Sequence, residues 1–209
     1  MKVEVARALG DLDEQKVLAG VYVLKEQGIS PLEIVAQLQA GMEVVGKKYE
    51  NEEYFLSELI MSADIFKTAV DSLGDAFIGG NVETIRTLVI GTVSGDLHDI
   101  GKNIVTTVMS CNGFRVYDLG VDVPVEQFVD AIREHNPEFV GLSCLLTTAF
   151  DSMKKTVEEI QRAGLQDRVK ILIGGGPVDE SVRKYVGADY YCKNAQDAVD
   201  LCRRLLGVC

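Results

Sequence analysis

The chain of 209 residues has a shortage of positive charge, only two histidines and no long apolar run. Each shortage excludes something. Lysine and arginine number 21 against 32 acids, a net charge of −11. Holding nucleic-acid phosphates needs clustered positive charge, so nucleic acid is not an expected partner. The imbalance is concentrated early: residues 1–84 carry 15 acids and 7 bases, whereas residues 85–209 carry 17 and 14. An acidic first part reads as a solvated helical surface, with the alternative that it helps to select a protein partner. No stretch approaches the ~20 apolar residues that span a bilayer, so no membrane partner is expected. The N-terminus, Met-Lys-Val-Glu-Val-Ala-Arg, lacks the apolar core of a signal peptide, and a cytoplasmic location is expected. Five cysteines are present, none in Cys-x-x-Cys spacing, which argues against a thiolate zinc site. The odd number argues against a disulfide framework. Cys111, Cys144 and Cys192 fall in or beside apolar segments and read as small buried hydrophobes. No Gly-x-x-x-x-Gly-Lys-Ser/Thr phosphate loop and no nucleophile–base pair stands out.

What is there changes character partway along. The first 80 or so residues read as helices. Asp13–Gln27 places Val17, Leu18, Val21 and Leu24 on one helical face, and Gly28 ends it. Ser30-Pro31-Leu32-Glu33 is a helix start, with a serine cap, proline in the first turn and glutamate at the third position. That helix runs towards Tyr49. A third helical stretch covers about Glu53–Phe77, broken once or not at all. Within it, Tyr54–Met61 has large apolar groups on more than one face and needs partners on two sides. A four-helix bundle is the economical arrangement.

Gly79-Gly80-Asn81 then punctuates the chain, and short β-branched runs begin to alternate with helical stretches. Strands are expected at Thr87–Val93, Arg115–Leu119, Phe139–Leu145, Val169–Ile173 and, weakly, Asp189–Cys192. Helices are expected at Ile100–Cys111, Val125–His135, Ala149–Ala163, Asp179–Val186 and Ala195–Leu206. Five β/α units imply a parallel sheet covered by helices on both faces, with the flavodoxin-like strand order. The fold class is thus an all-α four-helix bundle over residues 1–84 and an α/β flavodoxin-like (Rossmann-like) five-stranded parallel sheet over residues 85–209.

Three strand ends carry unusual residues. After the first strand comes Thr-Val-Ser-Gly-Asp-Leu-His-Asp-Ile-Gly-Lys-Asn, residues 92–103, which holds His98 between Asp96 and Asp99. At the end of the third comes Ser143-Cys144-Leu145-Leu146-Thr147-Thr148. After the fourth comes Gly174-Gly175-Gly176-Pro177, where a ligand could approach the backbone closely. All three belong to the carboxyl edge of the sheet, where open α/β folds bind ligands. Imidazole is the commonest metal-ligating side chain. Taken singly, a glycine triplet is usually a turn and a lone histidine usually has no special role. The other histidine, His135, reads as a surface residue at a helix end.

Together the three resemble the vitamin B12-binding domain of cobalamin-dependent methyltransferases and mutases. That family's pattern is Asp-x-His-x-x-Gly, then Ser-x-Leu, then Gly-Gly, matched here by Asp96–Gly101, Ser143–Leu145 and Gly174-Gly175. The intervening gaps, residues 102–142 and 146–173, fit the family spacing. The helical first part is similar to the cap domain that precedes the B12 domain in methionine synthase and in anaerobic corrinoid methyl-carrier proteins. The resemblance thus covers nearly the whole chain.

The resemblance implies cobalamin or a related corrinoid as cofactor, with His98 as the lower axial ligand of cobalt in place of the cofactor's own base (base-off/His-on). Asp96 would accept a hydrogen bond from the other ring nitrogen and tune the ligand. Val93, Gly95, Leu97, Asp99 and Ile100 would surround the pair, and Gly101 would let the nucleotide tail pass close to the helix. Ser143, Leu145, Leu146, Thr147 and Thr148 would line the slot for the displaced base. Gly174, Gly175 and Gly176 would let the tail run between strand ends, and Tyr191, Asn194 and Ala195 would lie near its far end. From the cap, Phe55, Leu59 and Ile60 are the candidates to cover the upper cobalt face, or else they are simply bundle core. One departure is visible: methionine synthase has a second serine six positions after the Ser-x-Leu serine, and here that position is Ala149. Thr148 is the alternative relay group.

By the same resemblance, the chain would be non-catalytic alone. It would be the corrinoid subunit of a multi-component methyltransferase in one-carbon metabolism, holding methylcobalamin when loaded. Its implied partners are a substrate-specific methyltransferase, a second methyltransferase and a reductive activator, with tetrahydrofolate or a thiol as acceptor. Methanol, methylamines, betaines and aryl methyl ethers are the donor candidates. A cobalamin-dependent sensor or regulatory module, the B12 subunit of an adenosylcobalamin mutase, and a flavodoxin-like binding protein without cobalt are the competing readings.

Overall fold

The computed structural model describes residues 2–73 and 86–207, with residues 2–4 described by backbone alone. The Gly79-Gly80-Asn81 break, the end of the Glu53–Phe77 stretch, the boundary at 84/85 and Cys209 lie outside the described residues. The chain divides into two compact units; Cys111–Gly113 groups with the first.

Among the described residues four helices make up the first unit: α1 Lys2–Gly10, α2 Glu14–Glu26, α3 Pro31–Glu50 and α4 Leu56–Asp71. Local chemistry sets their starts. The Asp13 carboxylate accepts the Lys16 amide at 3.1 Å to cap α2. Ser30 Oγ accepts the Glu33 amide at 3.3 Å and donates to the Glu33 carboxylate at 3.1 Å, with Pro31 opening α3. Their apolar faces, including Val5, Leu9, Val17, Val21, Ile34, Leu38, Met42, Ala63 and Phe66, form one core. The helix α4 is continuous. It buries Leu59, Ala63, Ile65 and Phe66 while leaving Phe55, Leu56, Ile60 and Met61 on the surface, the two-sided character read from Tyr54–Met61. The short α1 escaped the sequence reading because Val5, Ala8 and Leu9 amount to little more than one turn of periodicity, too little to distinguish a helix.

The second unit alternates strands and helices: β1 Thr87–Thr92, α5 Ile100–Cys111, β2 Arg115–Asp118, α6 Val125–His135, β3 Phe139–Ser143, α7 Phe150–Arg162, β4 Lys170–Gly174, α8 Glu180–Val186, β5 Tyr190–Tyr191 and α9 Ala195–Leu206. All pairings are parallel, in the order β2-β1-β3-β4-β5, the flavodoxin-like order expected. The central strands β1 and β3 are nearly continuous apolar runs because helices cover both faces of such a sheet. A single 3-10 turn, Thr147–Ala149, precedes α7.

Register decides what shares the carboxyl edge. Thr92 pairs with Ser143, and Ser143 pairs with Gly174. The three motif loops therefore leave adjacent strands at one level, as the strand assignments implied. The expected strand ends at Val93, Leu145 and Cys192 fall slightly beyond the observed ones, because the chain turns into these loops.

Candidate functional site

Asp96 is the hub of the edge. It is completely buried. Oδ1 accepts the His98 backbone amide at 3.0 Å and faces His98 Nδ1 at 2.6 Å. Oδ2 accepts the backbone amides of Leu145 at 2.6 Å and Leu146 at 3.0 Å. Burial raises the pKa of this carboxyl, but the three backbone amides and the imidazole outweigh it and hold the group well below the usual carboxylate range. An ionised carboxylate only accepts, so in the neutral imidazole the proton lies on Nδ1 and Nε2 keeps its lone pair. The His98 side chain is 51% exposed. The sheet edge thus presents one oriented, open nitrogen ligand.

The backbone around this pair is laced to its neighbours. Thr92, fully buried, donates its hydroxyl to the His98 carbonyl at 2.9 Å. The amide of Gly95, with φ +85°, donates to Asp122 Oδ1 at 2.7 Å. The amide of Asp122 donates to the Asp96 carbonyl at 2.9 Å. Val93 is core: its side chain is buried and its amide reaches the Ser143 carbonyl at 3.1 Å.

Flanking side chains are apolar and exposed. Leu97 is 71% and Ile100 77% accessible, and Leu145 and Leu146 are also open. Asp99 is exposed and accepts the Asn103 side chain at 3.1 Å. A Cβ added at Gly101 would meet nothing within 4 Å, so packing within the protein does not require glycine there, and the space before the helix is open. Gly175 is different: at φ +140° its Cβ would lie 1.8 Å from the Cys144 carbonyl oxygen. The β4 end is therefore pressed against the β3 end, with Gly174 and Gly176 beside it. Thr147 and Thr148 are exposed in the 3-10 turn, and Ser143 is half-buried.

Farther along the edge, Tyr191 is half-buried against the core. The Asn194 carbonyl accepts the Asp197 amide at 2.8 Å, so this side chain caps α9, and Ala195 is buried. In the helical unit, Phe55 and Ile60 are exposed, whereas Leu59 is buried. Ala149, in the position of the second serine, is buried in the core. Asp96 Oδ2 receives the main-chain amides of Leu145 and Leu146.

Sequence reading did not single out three groups near the pair. Thr92 looks like the end of a strand, and the Asp122 contacts span 27 residues. Cys144 is buried, as expected of a small hydrophobe, but the hydrogen bond its thiol donates to the Leu146 carbonyl at 3.2 Å had no signal of its own. Burial, the Asp96 charge and a hydrogen bond with that carboxylate push the thiol up to about 12. The only advance signal was a hydroxyl or thiol ending an apolar strand. His135 departs from the surface reading: its side chain is only 23% exposed, and its ring stacks on Tyr117 at 3.7 Å.

A single imidazole on a buried carboxylate, with apolar flanks and an open glycine approach, suits a flat metal-bearing macrocycle. Among the described residues no group of three or more His, Cys, Asp or Glu could enclose a bare metal ion. The donor set therefore fits a metal that brings its other ligands with it. The B12 binding domain family matches residues 86–201, and a second B12 binding domain family matches residues 3–74. The chain belongs to the B12-binding family of corrinoid proteins, and its cofactor is cobalamin or a related corrinoid.

Over 205 residues it is 38% identical to dimethylamine corrinoid protein 1 of Methanosarcina acetivorans, covering 97% of this chain and 96% of that one. Its structure is similar to that of a cobalamin-binding protein from Desulfitobacterium hafniense, with a TM-score of 0.82, 41% identity and 98% of each chain covered. It is also similar to a chain of the methanol:cobalamin methyltransferase complex MtaBC from Methanosarcina barkeri, with a TM-score of 0.82, 29% identity and coverage of 98% and 78%. No helix among the described residues is long and apolar enough to cross a membrane.

Proposed function

We propose that this chain is a methyl carrier: it holds a corrinoid base-off with His98 as lower ligand and ferries a methyl group between two methyltransferases. The observation that carries the reading is the 2.6 Å Asp96–His98 contact, which leaves Nε2 free and exposed on the ligand-binding edge. The bound corrinoid supplies the cobalt that accepts and releases the methyl group.

The chain's own residues do the rest. Asp96 fixes the imidazole tautomer and raises its basicity as a ligand. Leu97, Ile100, Leu145 and Leu146 shield the lower face from water. Gly101 and the 174–176 triplet admit the nucleotide tail, with Ser143, Thr147 and Thr148 beside the displaced base and Tyr191, Asn194 and Ala195 near the tail's end. The dimethylamine and methanol systems of the relatives support a methylamine or methanol as donor. A substrate-specific methyltransferase would load the carrier, a second would unload it to tetrahydrofolate or a thiol, and a reductive activator would restore it. The helical unit would be residues 1–84 and the corrinoid unit residues 85–209.

Reconstitution with hydroxocobalamin tests the reading. About one corrinoid per chain should bind, with a visible spectrum of nitrogen ligation that His98→Ala abolishes. An unchanged spectrum in that variant removes the axial role. Reduced holoprotein should then become methylated with a methylamine or methanol methyltransferase and its substrate, and failure with every donor class removes the carrier role.

A further inference from the structure

We propose that Thr92 and Asp122 are positioning residues for the axial imidazole, clamping the backbone of residues 95–98 from two sides. The inference rests on the His98 ligand reading and adds to it what aims the ligand.

Asp96 holds the imidazole, but it lies on the same short loop. Its Oδ2 is tied to the β3 end by the Leu145 and Leu146 amides, but aiming the ring also requires that the backbone carrying it be fixed. Two residues outside that segment do this. Thr92, the last residue of β1, donates its buried hydroxyl to the His98 carbonyl at 2.9 Å. Its own backbone is anchored, since its amide donates to the Gly120 carbonyl at 3.0 Å and its carbonyl accepts the Val123 amide at 3.0 Å. The ligand residue is thereby tied directly to the end of a central strand.

Asp122 acts at the other end of the segment. Its Oδ1 accepts the Gly95 amide at 2.7 Å and the Ser94 hydroxyl at 3.3 Å. Its amide donates to the Asp96 carbonyl at 2.9 Å. It makes these contacts from φ +51°, a left-handed conformation sparsely used by residues other than glycine. Glycine would suit that backbone better but could not supply the carboxylate. Strain of this kind persists where surrounding contacts impose it. Gly95, Asp96 and His98 are thus each fixed by groups outside the segment, and the ring has little freedom left to lose on ligation.

The test uses the full chain reconstituted with hydroxocobalamin, read as the fraction with histidine nitrogen on cobalt at saturating corrinoid. Thr92→Val keeps the shape and removes the donor; Thr92→Ser restores it. Asp122→Gly relaxes the backbone and removes the acceptor; Asp122→Asn keeps an acceptor and tolerates the left-handed turn. Thr92→Val and Asp122→Gly should each weaken His98 ligation about tenfold. Thr92→Ser and Asp122→Asn should stay within about threefold of wild type. In a His98→Ala background, ligation by added free imidazole should be indifferent to all four changes, because free imidazole is not tied to the loop.

Wild-type ligation in both Thr92→Val and Asp122→Gly overturns the proposal. So does a loss of free-imidazole ligation equal to the loss of His98 ligation, which would mean general damage to the site. Should Thr92→Val not fold, the exposed Asp122 series and Thr92→Ser decide alone. If His98→Ala itself leaves the spectrum unchanged, the ligand reading fails instead, so the two failures are distinct.

Discussion

The Asp96 carboxylate accepts the backbone amide of Leu145 at 2.6 Å across 49 residues of sequence. One buried oxygen thereby joins the loop after β1 to the loop after β3. The other oxygen orients His98. Imidazole orientation and strand-end assembly consequently depend on the same group.

Asp96→Asn should expose that dependence. An amide can accept on only one atom, so its NH2 must face either two backbone donors or the His98 donors. The loss should be about 1–3 kcal/mol of unfolding free energy, measured by urea titration of the corrinoid-free protein. The pH dependence has a defined sign. A carboxyl held below its ordinary value of 3.8 in the folded state stabilises fully above that value, and the contribution is lost as pH falls towards the folded pKa. Wild type should therefore lose stability more steeply than Asp96→Asn below about pH 4.

Gly175→Ala should be the most damaging single methyl at the site. Its Cβ would overlap a backbone oxygen at 1.8 Å, and neither strand end can yield without breaking β3–β4 pairing. A cost of at least about 3 kcal/mol is expected in thermal or urea unfolding. Gly176→Ala meets only the tip of the Leu145 side chain at 3.0 Å and should cost under about 1 kcal/mol.

Lys102 and Asp118 form a pair whose two halves should respond unequally. The Lys102 side chain is 2% exposed and its ammonium contacts Asp118 Oδ2 at 2.5 Å, whereas Asp118 is 29% exposed. Asp118→Ala strands a buried cation, with only Asn103 Oδ1 at 2.7 Å left to it, and should cost about 3 kcal/mol. Lys102→Met leaves a carboxylate that water and the Gly120 amide still satisfy, and should cost about 1 kcal/mol or less. Chemical unfolding of both variants tests the order.

The buried thiols give a second pH signature. Burial pushes Cys111, Cys144 and Cys192 up to about 12 from an ordinary 9.0. Below pH 9 the folded and unfolded states both keep the thiol proton, and stability is intact. Between 9.0 and about 12 only the unfolded state releases it, so stability falls through that window. Iodoacetamide at pH 8, followed by peptide mass mapping, should leave these three unmodified in the native protein and label them in urea.

Most elements of both units were legible because each signal is local. Apolar runs at Leu88–Val93 and Phe139–Leu142 needed no partner to be read as strands, and Ser30-Pro31 marked a helix start by its own chemistry. The spacing of Asp96, His98, Ser143 and Gly174 pointed to one edge because strands in a parallel sheet emerge on the same side. Helix α1 was missed for want of length, and His135 was misjudged because its stacking partner Tyr117 lies on another element.

Sequence alone thus determined the order of strands and helices in the second unit, since periodicity, caps and turn residues act over a few residues, and its three motifs carried the resemblance to the family. Tertiary structure decided which groups hold the imidazole and its loop. That Asp96 Oδ2 is satisfied by the amides of Leu145 and Leu146, that Thr92 holds the His98 carbonyl and that Asp122 holds Gly95 are consequences of register and loop approach. Hydrogen bonds act over about 3 Å, and only the folded chain brings residues 27 or 50 positions apart within that reach.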